Sequence, residues 1–288
     1  MKLICERKNN VKYNKIVAPV VKWVGGKRQL LPEIRECIPK TISTYYEPFV
    51  GGGAVLFDIQ PKRAVINDVN SELINLYEVI RDDVDLLIED LKKHKNDEEY
   101  YYKIRGVDRD TKKYSSMTKI EKASRMHYLN KTCYNGLFRV NRAGQFNSPF
   151  GNYKNPNIVN EVVLRAVSDY FNNADIEFKC GDFEKGIKGI RRGAFVYFDP
   201  PYDPVSDSAN FTGYSKGGFD RNEQMRLKIL CDELNRRGVR FLLSNSATEF
   251  ILDLYKDYEI KIIKARRSIN SNGNKRGEVD EVLVRNYE

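Results

Sequence analysis

Histidine is nearly missing from this chain of 288 residues, which contains only His94 and His127. Two isolated rings argue against a Ser/His/Asp triad and against a histidine-built metal centre, because both need imidazoles that converge. Cysteine is sparse too: Cys5, Cys37, Cys133, Cys180 and Cys231 are scattered, odd in number and include no Cys-x-x-Cys pair. That pattern speaks against a disulfide framework and a zinc site, and it predicts reduced, buried thiols. No run approaches the roughly 20 apolar residues that cross a bilayer. The basic N-terminus also lacks the apolar stretch and cleavage site of a secretory signal. A cytoplasmic protein with no metal and no membrane partner is expected.

What the chain does have is enough apolar material to fold, and an excess of positive charge. Hydrophobic residues make up 41% and aromatic ones 11%, so the 31% of charged residues does not mark disorder. Its length supports one large core, or a core with a substantial insertion. Lys and Arg outnumber Asp and Glu by 49 to 40, and the resulting +9 attracts polyanions, with nucleic acid ahead of an anionic membrane.

Along the chain, patterned segments alternate between strand and helix, which indicates α/β. After a polar arm ending at Pro19, the run Val20-Val21-Lys22-Trp23-Val24-Gly25-Gly26-Lys27 leads into a helix. The glycine pair with Lys27 suits a carboxylate or phosphate, a plain turn being the bland alternative. Trp23, the one tryptophan, suits core packing or a flat ligand face equally. A strand over 45–50 runs into Glu47-Pro48-Phe49-Val50-Gly51-Gly52-Gly53, whose glycines let a ligand approach the backbone, and a short helix follows over 54–59. This is not the G-x-G-x-x-G spacing of dinucleotide folds, which disfavours a dehydrogenase. A second strand over 63–68 ends at Asp68, suited to ribose hydroxyls, to capping the next helix, or to both. That helix has Leu73, Leu76, Ile80, Val84, Leu87, Ile88 and Leu91 at helical spacing, and the pattern predicts an unbroken run from 71 to about 94. Residues 96–122 are charged, rich in tyrosine and carry little core signal.

A helix over 119–132 delivers a hairpin and loop from Cys133 to Lys154, where Gly, Asn, Arg and aromatic residues interleave without periodicity. The mixture suits DNA, since Arg pairs with guanine, Asn with adenine, and aromatic rings stack on or wedge between bases. A helix over 159–171 returns the chain to the core, and a third strand over 174–182 ends at Asp182. The fourth, Phe195-Val196-Tyr197-Phe198, breaks at Asp199-Pro200-Pro201-Tyr202. Proline lacks the ladder N–H, and ligands of open α/β sheets bind outside the carboxyl ends of the strands. Asp68, Asp182 and Asp199 all stand at such ends, which implies a lined pocket. The Ser/Gly/Asn-rich stretch 203–219 is a candidate mobile cover for bound substrate. A helix over 221–237, a strand over 239–245, a helix to about 254 and strands over 258–265 and 279–287 complete the pattern. The basic stretch 266–277 is suited to touch phosphates.

In order, Lys22-Trp23-Val24-Gly25-Gly26-Lys27, the Glu47-to-Gly53 glycine turn, Asn67-Asp68-Val69-Asn70, the Tyr134-to-Tyr153 loop, Gly181-Asp182-Phe183 and Asp199-Pro200-Pro201-Tyr202 make a specific set. The chain resembles, nearly end to end, the D12 class of N6-adenine DNA methyltransferases, of the Dam and DpnII-methylase kind. The resemblance implies an α/β, Rossmann-like S-adenosylmethionine-dependent methyltransferase sheet whose last strands form an antiparallel hairpin. Residues 1–92 and 160–288 would form the catalytic domain. A mostly helical insertion over 93–159, carrying the hairpin loop, would recognise the target in double-stranded DNA. It assigns Trp23, Lys27, Phe49, Gly51 and Gly53 to the cofactor pocket, Asp68 to the ribose hydroxyls and Asp182 to the neighbourhood of the cofactor adenine. Asp199, Pro200, Pro201 and Tyr202 would take the target adenine, with Asp199 also bordering the cofactor. Tyr134, Asn135, Arg139 and Asn141 would engage DNA, supported by Pro149 and Tyr153. The implied reaction is methyl transfer to adenine N6 by base flipping, with GATC as the preferred site, in a bacterial or phage-encoded protein acting at the nucleoid. A restriction endonuclease linked genetically but not physically is one partner option and solitary action the other. The rival readings are a catalytically weak DNA-binding regulator and an RNA adenine methyltransferase.

Overall fold

The computed structural model describes residues 13–205, 218–266 and 278–288. The expected cover over 203–219 and the basic stretch 266–277 thus lie largely outside the described residues. Seven strands, β1 Tyr45–Glu47, β2 Arg63–Asp68, β3 Asp175–Cys180, β4 Phe195–Phe198, β5 Arg240–Ser246, β6 Glu259–Arg266 and β7 Glu278–Arg285, pair in the order β3-β2-β1-β4-β5-β7-β6. The first five are parallel, and β7 runs antiparallel between β5 and β6, so the expected terminal hairpin is present. Strand order reverses between β1 and β4, and that switch point is where open sheets of this kind leave a crevice.

Alternation along β4 divides the core. Phe195 and Tyr197 face one layer while Val196 and Phe198 face the other, and all four are fully buried. Helices α1 Leu31–Cys37, α2 Ala54–Ile59, α3 Ser71–Asp82, α4 Val84–Leu91, α7 Lys119–Thr132 and α8 Glu161–Asn173 contribute to the first layer. The second layer is built from α9 Phe183–Gly186, α10 Arg221–Arg236 and α11 Glu249–Leu254. Two further helices, α5 Glu98–Arg105 and α6 Thr111–Ser116, precede α7.

Several expectations need correction. The single helix from 71 to about 94 is two, because Asp83 leaves helical geometry at φ −139° and ψ 39°. The buried residues keep their spacing across the break, so periodicity alone does not show it; the Asp82-Asp83 pair, poor in helix interiors, does. The first strand stops at Glu47 because Pro48 cannot donate to the ladder. The 96–122 stretch is not without a core: Tyr101 is fully buried and packs on Phe150, with its hydroxyl donating to the Ser148 carbonyl at 2.8 Å. Asp108 meets Arg125, itself 2% exposed, at 2.8 Å. The Tyr101 hydroxyl buries here on a carbonyl and Arg125 on the Ile104 and Arg105 carbonyls and Asp108, partners that hydrophobicity does not register. Cys180 is exposed, being the last residue of the edge strand β3, whereas Cys37, Cys133 and Cys231 are buried.

Both histidines are interior. His94 stacks on Tyr128 with ring centroids 4.2 Å apart, and burial pushes it down to about 4. His127 is 1% exposed, neither ring nitrogen has a hydrogen-bond partner among the described residues, and burial pushes it down to about 3. Each ring is neutral in the fold, whereas the unfolded chain takes up a proton below about pH 6.5. Stability is therefore full above that pH and declines as pH falls toward the folded values. For His127 the loss is about 2 kcal/mol at pH 5. Urea unfolding at pH 7.5 and pH 5 checks this: His127→Leu is expected to shrink the difference between the two pH values by about that amount.

Candidate active site

The carboxyl ends of β4, β5 and β1 meet at the switch point, and Asp199 stands at the first of them. The Asp199 carboxylate receives the Lys27 ammonium on Oδ1 at 2.7 Å and the Ser244 hydroxyl on the same oxygen at 3.0 Å. Oδ2 has no hydrogen-bond partner among the described residues, and neither has the Pro200 carbonyl. Burial pushes the Asp199 carboxyl up from the usual carboxylate range, while Lys27 and Ser244 pull it back. Lys27 Nζ also donates to the Gly25 carbonyl at 2.6 Å and lies 4.6 Å from the centre of the Tyr202 ring. The Tyr202 hydroxyl donates to Glu281 on β7 at 2.8 Å. Beneath the site, Glu47 is 2% exposed and burial holds its carboxyl well above the usual range, with the Tyr45 hydroxyl donating to it at 2.9 Å.

The two-proline turn is held by a brace of buried amides. Gln224 of α10 donates to the Pro201 carbonyl at 2.8 Å, and Asn245 donates to Gln224 at 3.0 Å. Asn245 also accepts the Asp203 N–H at 3.0 Å, while the Asp203 carboxylate takes the Thr248 hydroxyl at 2.8 Å and Arg221 at 3.2 Å. None of these residues was singled out from sequence. A signal was there in Phe241-Leu242-Leu243-Ser244-Asn245-Ser246, an apolar strand that turns polar at its carboxyl end as the fourth one does.

The glycine turn forms the neighbouring wall. Gly51 has φ +46°, and a Cβ there would lie 2.6 Å from Trp23 Cδ1, so only glycine lets the backbone pass against the indole. Its N–H donates to Asp68 Oδ2 at 3.0 Å, and the Asn70 N–H donates to Oδ1 at 2.9 Å. Asp68 does not cap α3; Asn70 does, accepting from Glu72 and Leu73. Two carboxylate oxygens with one donor each still have lone pairs for hydroxyl donors. Asn67 ties the loops together by donating to the Pro48 and Gly181 carbonyls, each at 2.9 Å. Trp23 serves both expected roles in part, since it stacks on Phe138 at 5.3 Å while remaining partly exposed.

Asp182 sits one loop away, capping α9 and paired with Arg226. Arg226 lies 4.3 Å over the Phe183 ring, which stacks on Phe49 at 5.4 Å, with Phe219 edge-on to Phe49 at 5.6 Å. Asp182 and Phe49 are therefore joined through an aromatic cluster, and Phe183, Phe219 and Arg226 extend the set named from sequence.

The expected hairpin forms, with antiparallel bridges between Cys133 and Phe150 and between Val140 and Phe146. Tyr134 is 56% exposed at its base, its N–H donating to the Pro149 carbonyl at 2.9 Å, and Asn135 has φ +55°. Arg139 is partly used, its Nε donating to the Asn147 side chain at 2.8 Å. Asn141 builds the tip, accepting from the Ala143 and Gln145 N–H groups at 3.0 Å each. Tyr153 lies under Lys22 at 4.8 Å. Phe138 of the hairpin stacks on Trp23, which links the hairpin to the segment that carries Lys27.

The arrangement is a carboxylate and a carbonyl without a partner among the described residues at a strand end, a glycine wall, and a polar–aromatic hairpin. Residues 23–269 match the family model of D12 class N6 adenine-specific DNA methyltransferases. The chain belongs to this D12 class. It is an adenine-specific DNA methyltransferase. Relatives span almost the whole chain. It is 44% identical to the Type II methyltransferase M1.LlaDCHI of Lactococcus lactis subsp. cremoris, covering 97% of this chain and 99% of that one. It is 41% identical to the Type II methyltransferase M.MjaIII of Methanocaldococcus jannaschii, over 94% and 99%. To the DNA adenine methylase of Escherichia coli K12 it is 35% identical, over 92% and 93%. Among the described residues no group of His, Cys, Asp and Glu is placed to hold a metal, and no helix is long and apolar enough to cross a membrane.

The brace can be tested by Gln224→Leu, which leaves the Pro201 carbonyl and the Asn245 amide without a buried partner. Each orphaned group costs about 1–3 kcal/mol. Denaturant unfolding is expected to show a loss of about 2–6 kcal/mol for the two groups together, with the methylation rate falling more than DNA affinity.

Proposed function

We propose that this enzyme transfers a methyl group from S-adenosylmethionine to N6 of an adenine flipped out of double-stranded DNA, with GATC as its site. One observation carries the reading: Oδ1 of Asp199 is engaged by Lys27 and Ser244, while Oδ2 and the Pro200 carbonyl are left as two neighbouring acceptors. An adenine amino group offers two N–H donors. Its nitrogen is a poor nucleophile, because the lone pair is conjugated into the ring. Accepting both hydrogens at Asp199 and Pro200 favours the pyramidal nitrogen and the positive charge that develop during attack, which is stabilisation of the transition state over the ground state. Asp199 acts here as an acceptor and need not be a strong base.

The residues present fit S-adenosylmethionine. Gly51 and Gly53, with φ of +46° and +69°, give a backbone-lined wall, Asp68 offers lone pairs for ribose hydroxyls, and Phe49 and Phe183 offer an apolar face beside Asp182. Trp23 and Lys27 border the same pocket. When bound, the cofactor supplies an electrophilic methyl group on a sulfonium. Tyr202 is placed to stack on the target base, and flipping it costs a few kcal/mol of unstacking. Residues 93–159 act as the target-recognition part of the chain. Tyr134 is suited by its exposure to fill the vacated space, and Asn135 and Arg139 to read bases, with Asn141, Pro149 and Tyr153 holding the hairpin in shape. Two relatives above 40% identity carry the name Type II methyltransferase; a restriction endonuclease linked genetically but not physically remains part of this reading, beside solitary action.

Plasmid incubated with the protein and S-adenosylmethionine, then challenged with a GATC nuclease blocked by adenine methylation, is expected to be protected; complete cutting would rule out GATC. Asp199→Ala is expected to lose methyl transfer by at least about 100-fold, the scale of removing a preorganised transition-state contact. Its affinity for the same duplex should stay within about twofold of wild type; robust methylation by that variant would sink the mechanism.

A further inference from the structure

We infer that Lys27 is a positioning residue for the methyl transfer itself: its ammonium fixes the Asp199 carboxylate through one oxygen and keeps the other available as an anionic acceptor. The inference rests on the proposed role of Asp199, and it gives Lys27 a function beyond bordering the cofactor pocket. The geometry is specific. Lys27 Nζ is 2.7 Å from Asp199 Oδ1 and 2.6 Å from the Gly25 carbonyl, so two of its three N–H groups are committed. Its side chain is 6% exposed, against 21% for that of Asp199, so the ion pair is shielded on the lysine side and open on the side where a substrate arrives.

The other groups around Asp199 cannot take this part. Ser244 on β5 donates one hydrogen bond to the same oxygen and carries no charge. Glu47 on β1, together with Glu281 on β7, whose partner is the Tyr202 hydroxyl, would oppose ionisation of Asp199 if charged. Tyr197 and Tyr202, on the strand and turn of Asp199 itself, are held protonated by burial. Lys27 is thus the cation paired with Asp199 among the described residues. Burial alone raises Asp199, and the Lys27 charge and hydrogen bond are the largest effects opposing it. Without Lys27, burial would act on the carboxyl with no paired cation among the described residues to oppose it and would favour the protonated form, whose hydroxyl is a donor and so of the wrong polarity for the adenine amino group.

The test is the pH dependence of single-turnover methylation of a duplex that the wild type modifies, at saturating S-adenosylmethionine, for wild type, Lys27→Met and Lys27→Arg. In Lys27→Met the acidic limb is expected to move up by about 1–3 pH units, the range by which a nearby opposite charge shifts a carboxyl group. The rate should recover on the alkaline side. Lys27→Arg, which retains the charge, should return the limb toward its wild-type position. Binding of S-adenosylhomocysteine, measured calorimetrically, separates this role from cofactor binding. If Lys27→Met leaves the limb in place and weakens only S-adenosylhomocysteine binding, the inference is overturned. If circular dichroism shows that Lys27→Met fails to fold, Lys27→Gln is read by the same criteria. A wild-type protein that transfers no methyl group to duplex DNA would count against the proposed function; an active wild type with an unmoved limb in the variant counts against Lys27 alone.

Discussion

The acid at the end of the buried central strand is paired with a lysine from a distant turn, and the rest of the site depends on that contact between Lys27 and Asp199. β4 lies between β1 and β5, fully buried on both faces, so any acid carried past its last ladder position enters a region of low polarity. An isolated charge there costs several kcal/mol unless it is paired and hydrogen-bonded. The partner comes from a turn more than a hundred residues earlier in the chain. That turn is in place only because its flanking segment is packed against the glycine loop and the hairpin. The position of one ammonium therefore depends on contacts from three separate parts of the sequence.

Buried side-chain amides make those long-range connections. Asn130, fully buried on α7, accepts the Lys22 N–H at 2.8 Å and donates to the Lys22 carbonyl at 2.7 Å, and it reaches the Gly136 carbonyl at 3.2 Å. Asn245 does the same for the turn after β4, accepting the Asp203 N–H and donating to Gln224, while Asn67 joins the loops after β1 and β3 through its two donors. The reason is chemical. Loops at the carboxyl ends of parallel strands have N–H and C=O groups that no ladder satisfies, and an amide carries a donor and an acceptor on one short arm. The hairpin that is suited to DNA is thereby tied to the segment carrying Trp23 and Lys27 by directional bonds as well as by ring stacking.

Much of this was legible in the sequence. The strands over 63–68 and 195–198, and the helices over 54–59 and 119–132, appear where their patterns place them, because apolar periodicity and proline or glycine boundaries act locally. Asp199 at a strand end was legible for the same reason. The break at Asp83 was not, since the apolar spacing continues across it. The buried surface of the 96–122 stretch was hidden because tyrosine and arginine bury through partners that lie far away in sequence, such as Ser148 for Tyr101. The brace was hidden because Gln224, Asn245 and Thr248 look like ordinary polar residues until the fold puts them beside a proline turn.

The same distinction explains how the expected site residues differ from one another. Gly51 and Asp68 could be named from sequence, but their meeting could not, and it is the meeting that matters: the Gly51 N–H occupies one oxygen of Asp68 and fixes the direction of the carboxylate. Lys27 reads as an anion-binding residue by type, yet its nearest anion is part of the protein. A residue type states which chemistry is available, and topology decides what that chemistry is used on. In this sheet the switch point brings the ends of β1, β4 and β5 together. A lysine suited by its turn to an external anion is drawn onto the acid that this arrangement places at the end of β4.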